Sequence, residues 1–299
     1  MYEFRGIMSE SPGTNIPAAP MKKGKKPLMI AVIAVIIVVV IVAAAVMSGA
    51  LVLGEKSALD KIKEQGKIIM ATEASFQPFE SFNMTTQKVE GFDVDIANRI
   101  VENVSAALGV PLTLQINDVA FSAIPAMLKN RQIDMSLSGM TITDERNKTI
   151  LFSTPYYFME AGLGIMIKNG STPITNISQL TGKNIVVNSF TTSEIWVQKN
   201  LVDTGLVSAP KSLPTIANCV SDVIAGNSDC FIIDKPTALS YVESTGEQVL
   251  VTGVIPSFEP YGVALPKTST DLKTIIDNVI NGMMASGEMH ALMVKYGLI

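Results

Sequence analysis

The chain has one histidine in 299 residues, His290, and two cysteines, Cys219 and Cys230. That scarcity removes whole classes of chemistry. There is no Cys/His spacing for zinc, no G-x-x-x-x-G-K phosphate loop and no G-x-S-x-G nucleophile elbow. A Ser-His-Asp relay needs its imidazole at a cleft, whereas His290 falls in a helical stretch of ordinary packing character near the C-terminus. Carboxylates alone can perform acid–base work, but enzyme readings fit this sequence poorly and no catalytic activity is expected. Charge is also sparse, at 17% against 47% hydrophobic residues.

The apolar excess has one location. Leu28 to Leu53 is a run of 26 residues without a charge, interrupted only by Ser48 and Gly49. As a helix it would be ~39 Å long, enough to span a bilayer with some tilt. Lys22, Lys23, Lys25 and Lys26 precede it, and Glu55, Lys56 and Asp60 follow with mixed sign. The lysines belong on the cytoplasmic side. The expected layout is a disordered cytoplasmic tail over 1–27, an uncleaved transmembrane signal anchor over 28–53 and a juxtamembrane linker over 54–66. Everything after the anchor lies outside the cell membrane. The small residues Ala43-Ala44-Ala45 and Ser48-Gly49-Ala50 leave cleavage open. No cysteine stands directly after the span, so there is no thiol for a lipid-anchored mature N-terminus.

The first 54 residues hold five of the 23 basic and two of the 27 acidic residues, which leaves 18 against 25 beyond them, a net −7. Such a surface does not suit nucleic acid. Cys219 and Cys230 either pair in an oxidising compartment or serve as two small buried residues. Sequons at Asn83, Asn103, Asn147, Asn169 and Asn176 fit an exported domain.

Periodicity predicts an α/β chain. Lys67 to Thr72 reads as a strand. Phe92 to Leu108 carries a helical stripe of Ile96, Ile100, Val101 and Val104, with Asp93 and Asp95 suited to its N-terminal end. A strand over 112–116, a short helix over 121–129 and a strand over 133–137 complete a β-α-β-α-β order that argues for parallel pairing. A second unit has strands over 183–187, 230–233 and 249–254, with helices over 192–201 and 215–225 between them. Two closing helices are expected over 271–285 and 288–296. No long-period repeat is present.

One stretch, Ile133 to Tyr157 (IDMSLSGMTITDERNKTILFSTPYY), concentrates polar groups just past a strand end. Gly139 lets backbone approach a ligand closely. Thr141 offers a hydroxyl, and Arg146 a planar fork of donors that matches a carboxylate. Together they form a plausible anion clamp. Glu73 and Asp234 also follow strands, where ligands of open α/β sheets usually sit.

The combination of GMTITDER, FSTPYY and the β-branched second half resembles the extracellular solute-binding proteins of polar amino-acid ABC transporters, from about Lys67 to the C-terminus. The resemblance implies a two-lobe periplasmic binding protein-like (Venus flytrap) domain, with lobe 1 over 67–160 plus 261–299 and lobe 2 over 161–260. It implies that Gly139, Thr141 and Arg146 hold the ligand's α-carboxylate, joined by Thr192 from lobe 2. Asp234, before Lys235-Pro236-Thr237, would receive the α-ammonium, though it could also cap the helix that follows. Phe76 and Phe121 would face the ligand side chain beside Glu73, favouring a basic or neutral amide amino acid over an acidic one. The family often has Gly-Thr-Thr where this chain has Phe190-Thr191-Thr192. The implied partners are the amino acid, an ABC permease and its ATPase. No cofactor is expected, and the protein is expected to be a monomer. A ligand-sensing ectodomain and a carboxylate-based dehydratase on the same fold are the alternatives.

Overall fold

The computed structural model describes residues 32–41 and 56–299. Residues 32–41 are helical (α1) and consist of valine, isoleucine and alanine, all exposed. The expected tail over 1–27, and the remainder of the expected anchor, lie outside the described residues. Among the described residues no helix is long and apolar enough to cross a membrane.

The unit from Lys56 to Ile299 begins with helix α2 (Ala58–Gln65), capped by the Ser57 hydroxyl and ended by Gly66 in the left-handed region. This corrects the reading of 54–66 as a spacer. Ile62 is fully buried, and the Leu59 N–H donates to Asp271 at 3.0 Å. The Asp134 carboxylate gathers Lys61 Nζ at 2.9 Å, Gln65 Nε2 at 2.7 Å and the Ile69 N–H at 2.9 Å.

The chain then runs through β1 (Lys67–Thr72), a small hairpin sheet of β2 (Ser75–Phe76), β3 (Glu80–Asn83) and β4 (Lys88–Glu90), helix α3 (Phe92–Leu108), β5 (Thr113–Asp118), α4 (Ile124–Lys129), β6 (Met135–Ser136), α5 (Asp144–Asn147) and β7 (Ile150–Met159). It crosses into β8 (Leu163–Lys168), β9 (Ile185–Asn188), α6 (Thr192–Val197), β10 (Lys211–Leu213), α7 (Ile216–Ala225), β11 (Cys230–Asp234), α8 (Lys235–Ser244) and β12 (Val249–Ile255). It returns through β13 (Glu259–Pro266) to α9 (Thr270–Ser286) and α10 (Glu288–Lys295).

Two five-stranded sheets result, ordered β5-β1-β6-β13-β7 and β10-β9-β11-β8-β12. In each, the strands joined through helices pair in parallel, and the strands that cross between sheets pair antiparallel. The fold is therefore a two-lobe α/β architecture with two connecting legs. Buried strands read as continuous apolar runs, as in Cys230-Phe231-Ile232-Ile233. The face of α3 that packs on the first sheet buries Ile96, Ile100, Val101 and Val104. Phe79, Phe92, Tyr157 and Tyr261 interlock edge to face or tilted behind the strand ends, with centroids 5.2–6.0 Å apart. The hairpin sheet and α8 had no periodic signal strong enough to predict them; β2 to β4 span only two to four residues each. Cys219 on α7 and Cys230 on β11 are both free and buried. Burial pushes the Cys230 thiol up to about 12.

Candidate functional site

Parallel strands turn their C-terminal ends to one edge, so both sheets deliver the residues that follow their strands into the space between the lobes. A cavity partly open to solvent lies there. All eight sequence-predicted residues line it: Glu73, Phe76, Phe121, Gly139, Thr141 and Arg146 from the first lobe, Thr192 and Asp234 from the second. Ser138 and Asn188 line it too and carried no sequence signal of their own.

Glu73 neither faces solvent nor meets a lysine. It is 2% exposed. Its Oε1 accepts the Ile216 N–H at 2.6 Å and the Ser75 hydroxyl at 2.9 Å, and its Oε2 accepts the Phe121 N–H at 3.1 Å. The Ile216 bond reaches the first turn of α7, so this carboxylate ties one lobe to the other. Burial raises its pKa, and these hydrogen bonds oppose the rise.

The clamp differs in detail from the expectation. The Gly139 N–H is not free: it donates to Asp93 Oδ2 at 3.1 Å. Asp93 was expected to serve the helix dipole, but it is fully buried and turned toward the loop. Glycine is needed at 139 for space. Its φ is +53°, and a Cβ would stand 2.2 Å from Phe76 Cε1. The Arg146 guanidinium sits 5.4 Å from the Phe121 ring centroid. It donates to the Thr141 carbonyl at 2.9 Å and across the cleft to the Phe190 carbonyl at 3.0 Å. Phe190 itself takes a φ of +67°, a conformation that glycine adopts without the side-chain penalty.

A residue missed in the sequence joins this group. Glu259 Oε2 accepts the hydroxyls of Thr141 at 2.5 Å and Thr192 at 2.7 Å, one from each lobe. Ser257 donates to its other oxygen at 3.0 Å. The available signal was an acidic residue at the head of an otherwise apolar crossing strand, Glu259-Pro260-Tyr261-Gly262-Val263.

Asp234 stands at the N-cap position of α8 but makes no capping hydrogen bond. Its Oδ1 instead accepts the Tyr261 hydroxyl at 2.7 Å. Burial, and then the negative Glu259, push its pKa up to about 7; the Tyr261 bond and Arg146 act the other way. Arg146 is itself shifted down by burial, against the pull of Glu259 and Asp234. The cavity thus presents a guanidinium and an under-compensated carboxylate together.

Residues 68–299 match the family model described as bacterial extracellular solute-binding proteins, family 3. The L-cystine-binding protein TcyJ of Escherichia coli (strain K12) is 30% identical over 259 residues, covering 84% of this chain and 92% of its own. A mutant of ArgBP from T. maritima superposes with a TM-score of 0.71 at 31% identity, covering 81% of this chain and 100% of its own. An ancestral arginine-binding protein bound to glutamine gives a TM-score of 0.68 at 32% identity, covering 77% of this chain and 97% of its own.

Proposed function

The chain belongs to the bacterial extracellular solute-binding proteins, family 3, and on that footing we propose that it captures a polar amino acid between its lobes and presents it to an ABC permease driven by a separate ATPase. The observation that carries this is the pairing of Arg146 and Asp234 in one cavity lined by residues of both lobes. An α-amino acid is a zwitterion. Its carboxylate supplies the counter-charge for Arg146, and its ammonium supplies the one Asp234 lacks. Thr141 and Thr192 stand beside Arg146 with hydroxyls that can turn from Glu259 to a ligand carboxylate, and Gly139 keeps the loop close. A ligand that touches both lobes favours the closed arrangement because only that arrangement offers all its contacts.

The side chain would lie beside Phe76, Phe121 and Glu73. Among the described lining residues, Arg146 is the one cation, against the two carboxylates of Glu73 and Asp234. That balance favours a basic or neutral amide side chain and disfavours an acidic one. It accords with relatives named for arginine and an ancestral protein bound to glutamine. A thermal-shift panel of the twenty amino acids on the full-length protein tests this. The largest stabilisation is expected from arginine, lysine, histidine or glutamine, and greater stabilisation by glutamate or aspartate would refute the side-chain assignment.

The uncharged run over 28–53, with lysines before it, supports an N-terminal anchor that holds the binding domain on the outer face of the cell membrane.

A further inference from the structure

Behind the cavity floor, Glu80 of β3 and Asp93 of α3 are both fully buried. Each has one oxygen well satisfied. Glu80 Oε1 accepts the Ser138 hydroxyl at 2.6 Å. Asp93 Oδ2 accepts the Tyr156 hydroxyl at 2.8 Å and the Gly139 N–H at 3.1 Å. Each also has one oxygen, Glu80 Oε2 and Asp93 Oδ1, that is buried without a protein donor. Adjacent residues of one loop hold the two carboxyls, the Ser138 hydroxyl on Glu80 and the Gly139 N–H on Asp93, which sets them side by side.

Among the described residues, the groups facing the pair supply no positive charge. They are Ser138 and Gly139 of the loop, Thr72 at the end of β1, Tyr156 of β7 and, further off, the Glu73 carboxylate. Two ionised carboxylates in contact, buried and without a cation, are strongly disfavoured. One proton between the two orphan oxygens removes the repulsion and satisfies both atoms at once.

We propose that Glu80 and Asp93 share one proton, carried on Glu80 Oε2 and donated to Asp93 Oδ1, and that this carboxyl pair positions the Ser138–Gly139 floor of the cavity. Burial and the neighbouring Asp93 push Glu80 well above the ordinary carboxylate range, and burial takes Asp93 to about 6. The pair reaches the site through two chains of hydrogen bonds. One runs from Asp93 to the Gly139 N–H. The other runs from Glu80 to the Ser138 hydroxyl, whose oxygen in turn accepts the Glu73 N–H at 3.1 Å. Losing the proton would set two negative charges side by side and push the floor apart. The effect on ligand binding rests on the amino-acid-binding reading; the shared proton does not, and it can be tested without a ligand.

The test is infrared spectroscopy of the ligand-free full-length protein at neutral pH, combined with its melting temperature as a function of pH. A deuterium-sensitive carbonyl band of a protonated carboxylic acid is expected in the wild type, counted as the part that Asp234→Asn leaves in place, because Asp234 also holds a proton up to about pH 7. It should vanish in Glu80→Gln, whose amide can donate to Asp93 and accept from Ser138, and in Asp93→Asn, whose amide can donate to an ionised Glu80. The unfolded chain releases this proton at ordinary carboxylate pKa values, so it costs stability as pH rises above that range, up to tenfold in the folding constant per pH unit. Glu80→Gln should remove that component and flatten the profile while keeping the fold; Glu80→Ala should not rescue it. The absence of the band in the wild type, its survival in both amide variants, or an unchanged pH profile in Glu80→Gln would each overturn the proposal.

Discussion

Asp234 shows how one residue can satisfy two sequence readings and still be decided by its surroundings. It occupies an N-cap position, yet its carboxylate turns to Tyr261 rather than to the helix. Its pKa is raised to about 7 from an ordinary 3.8. The sign of the consequence follows from linkage. The unfolded chain loses the proton near pH 4 and the folded chain holds it until about 7, so the stability that Asp234 contributes is greatest at low pH and is lost as pH rises through that window. Asp234→Asn should therefore melt above the wild type near pH 8 and alongside it near pH 4 in the ligand-free protein. The same variant should bind an amino acid far more weakly, by roughly 2–5 kcal/mol if a buried charge pair is broken, as read by calorimetry with the best ligand of the amino-acid panel. A fall in ligand-free melting temperature at high pH, with binding unchanged, would return Asp234 to a capping role.

The loop between β6 and α5 is the element on which the site depends. It is held from behind by Asp93 and from the front by Phe76, and it has no slack at Gly139. Substitution by alanine there meets two obstacles. The backbone is in the left-handed region, and the new methyl would lie 2.2 Å from the Phe76 ring. The ring would have to swing into the cavity or the loop would have to shift. Gly139→Ala is expected to cost about 1–3 kcal/mol of stability, measured by denaturant unfolding, and to weaken binding as well. A fully stable variant with normal binding would mean that the loop adjusts freely. The neighbouring turn at Phe190 shows that such a demand need not be met by glycine, since an exposed phenylalanine there holds a positive φ while its carbonyl accepts from Arg146.

At the scale of the molecule, two lobes are tied by contacts that cross the cleft. Glu73 binds the Ile216 amide, Arg146 binds the Phe190 carbonyl, Tyr241 donates to the Ser75 carbonyl at 2.8 Å, and Gln77 donates to Ser244 at 2.7 Å. Polar ties of this kind exchange with water at modest net cost, which suits a cleft that must open and close. Attachment to the membrane calls for the opposite property. The proposed anchor, an uncharged run of 26 residues, would be held by hydrophobic transfer and not by surface charge. The full-length protein should therefore sediment with membranes and stay there in high salt. A mature chain starting near Ala45 or Leu51 and recovered in the soluble fraction would mean that the segment is cleaved.

Local pattern was enough to determine the alternation of strands and helices, because burial on a sheet or on one helix face imposes a period that can be read in a few residues. It marked Glu73, Gly139 and Asp234 as well, because in this architecture the residues that follow strands collect at one edge, whereas Phe76, Phe121 and Thr192 were singled out only by the resemblance to the family. It could not say what those side chains would touch. Glu259 meets Thr141 across 118 residues of chain, and Tyr156 meets Asp93 across 63. The expected anion clamp assumed that the Gly139 amide was free, and only the packing of α3 against the loop assigns that amide to Asp93. Asp93 read alone as an acid suited to a helix start, and Glu80 carried no signal of its own. Folding buries both in one place without a cation, and that proximity, invisible along the chain, is what makes a shared proton the electrostatically favoured state.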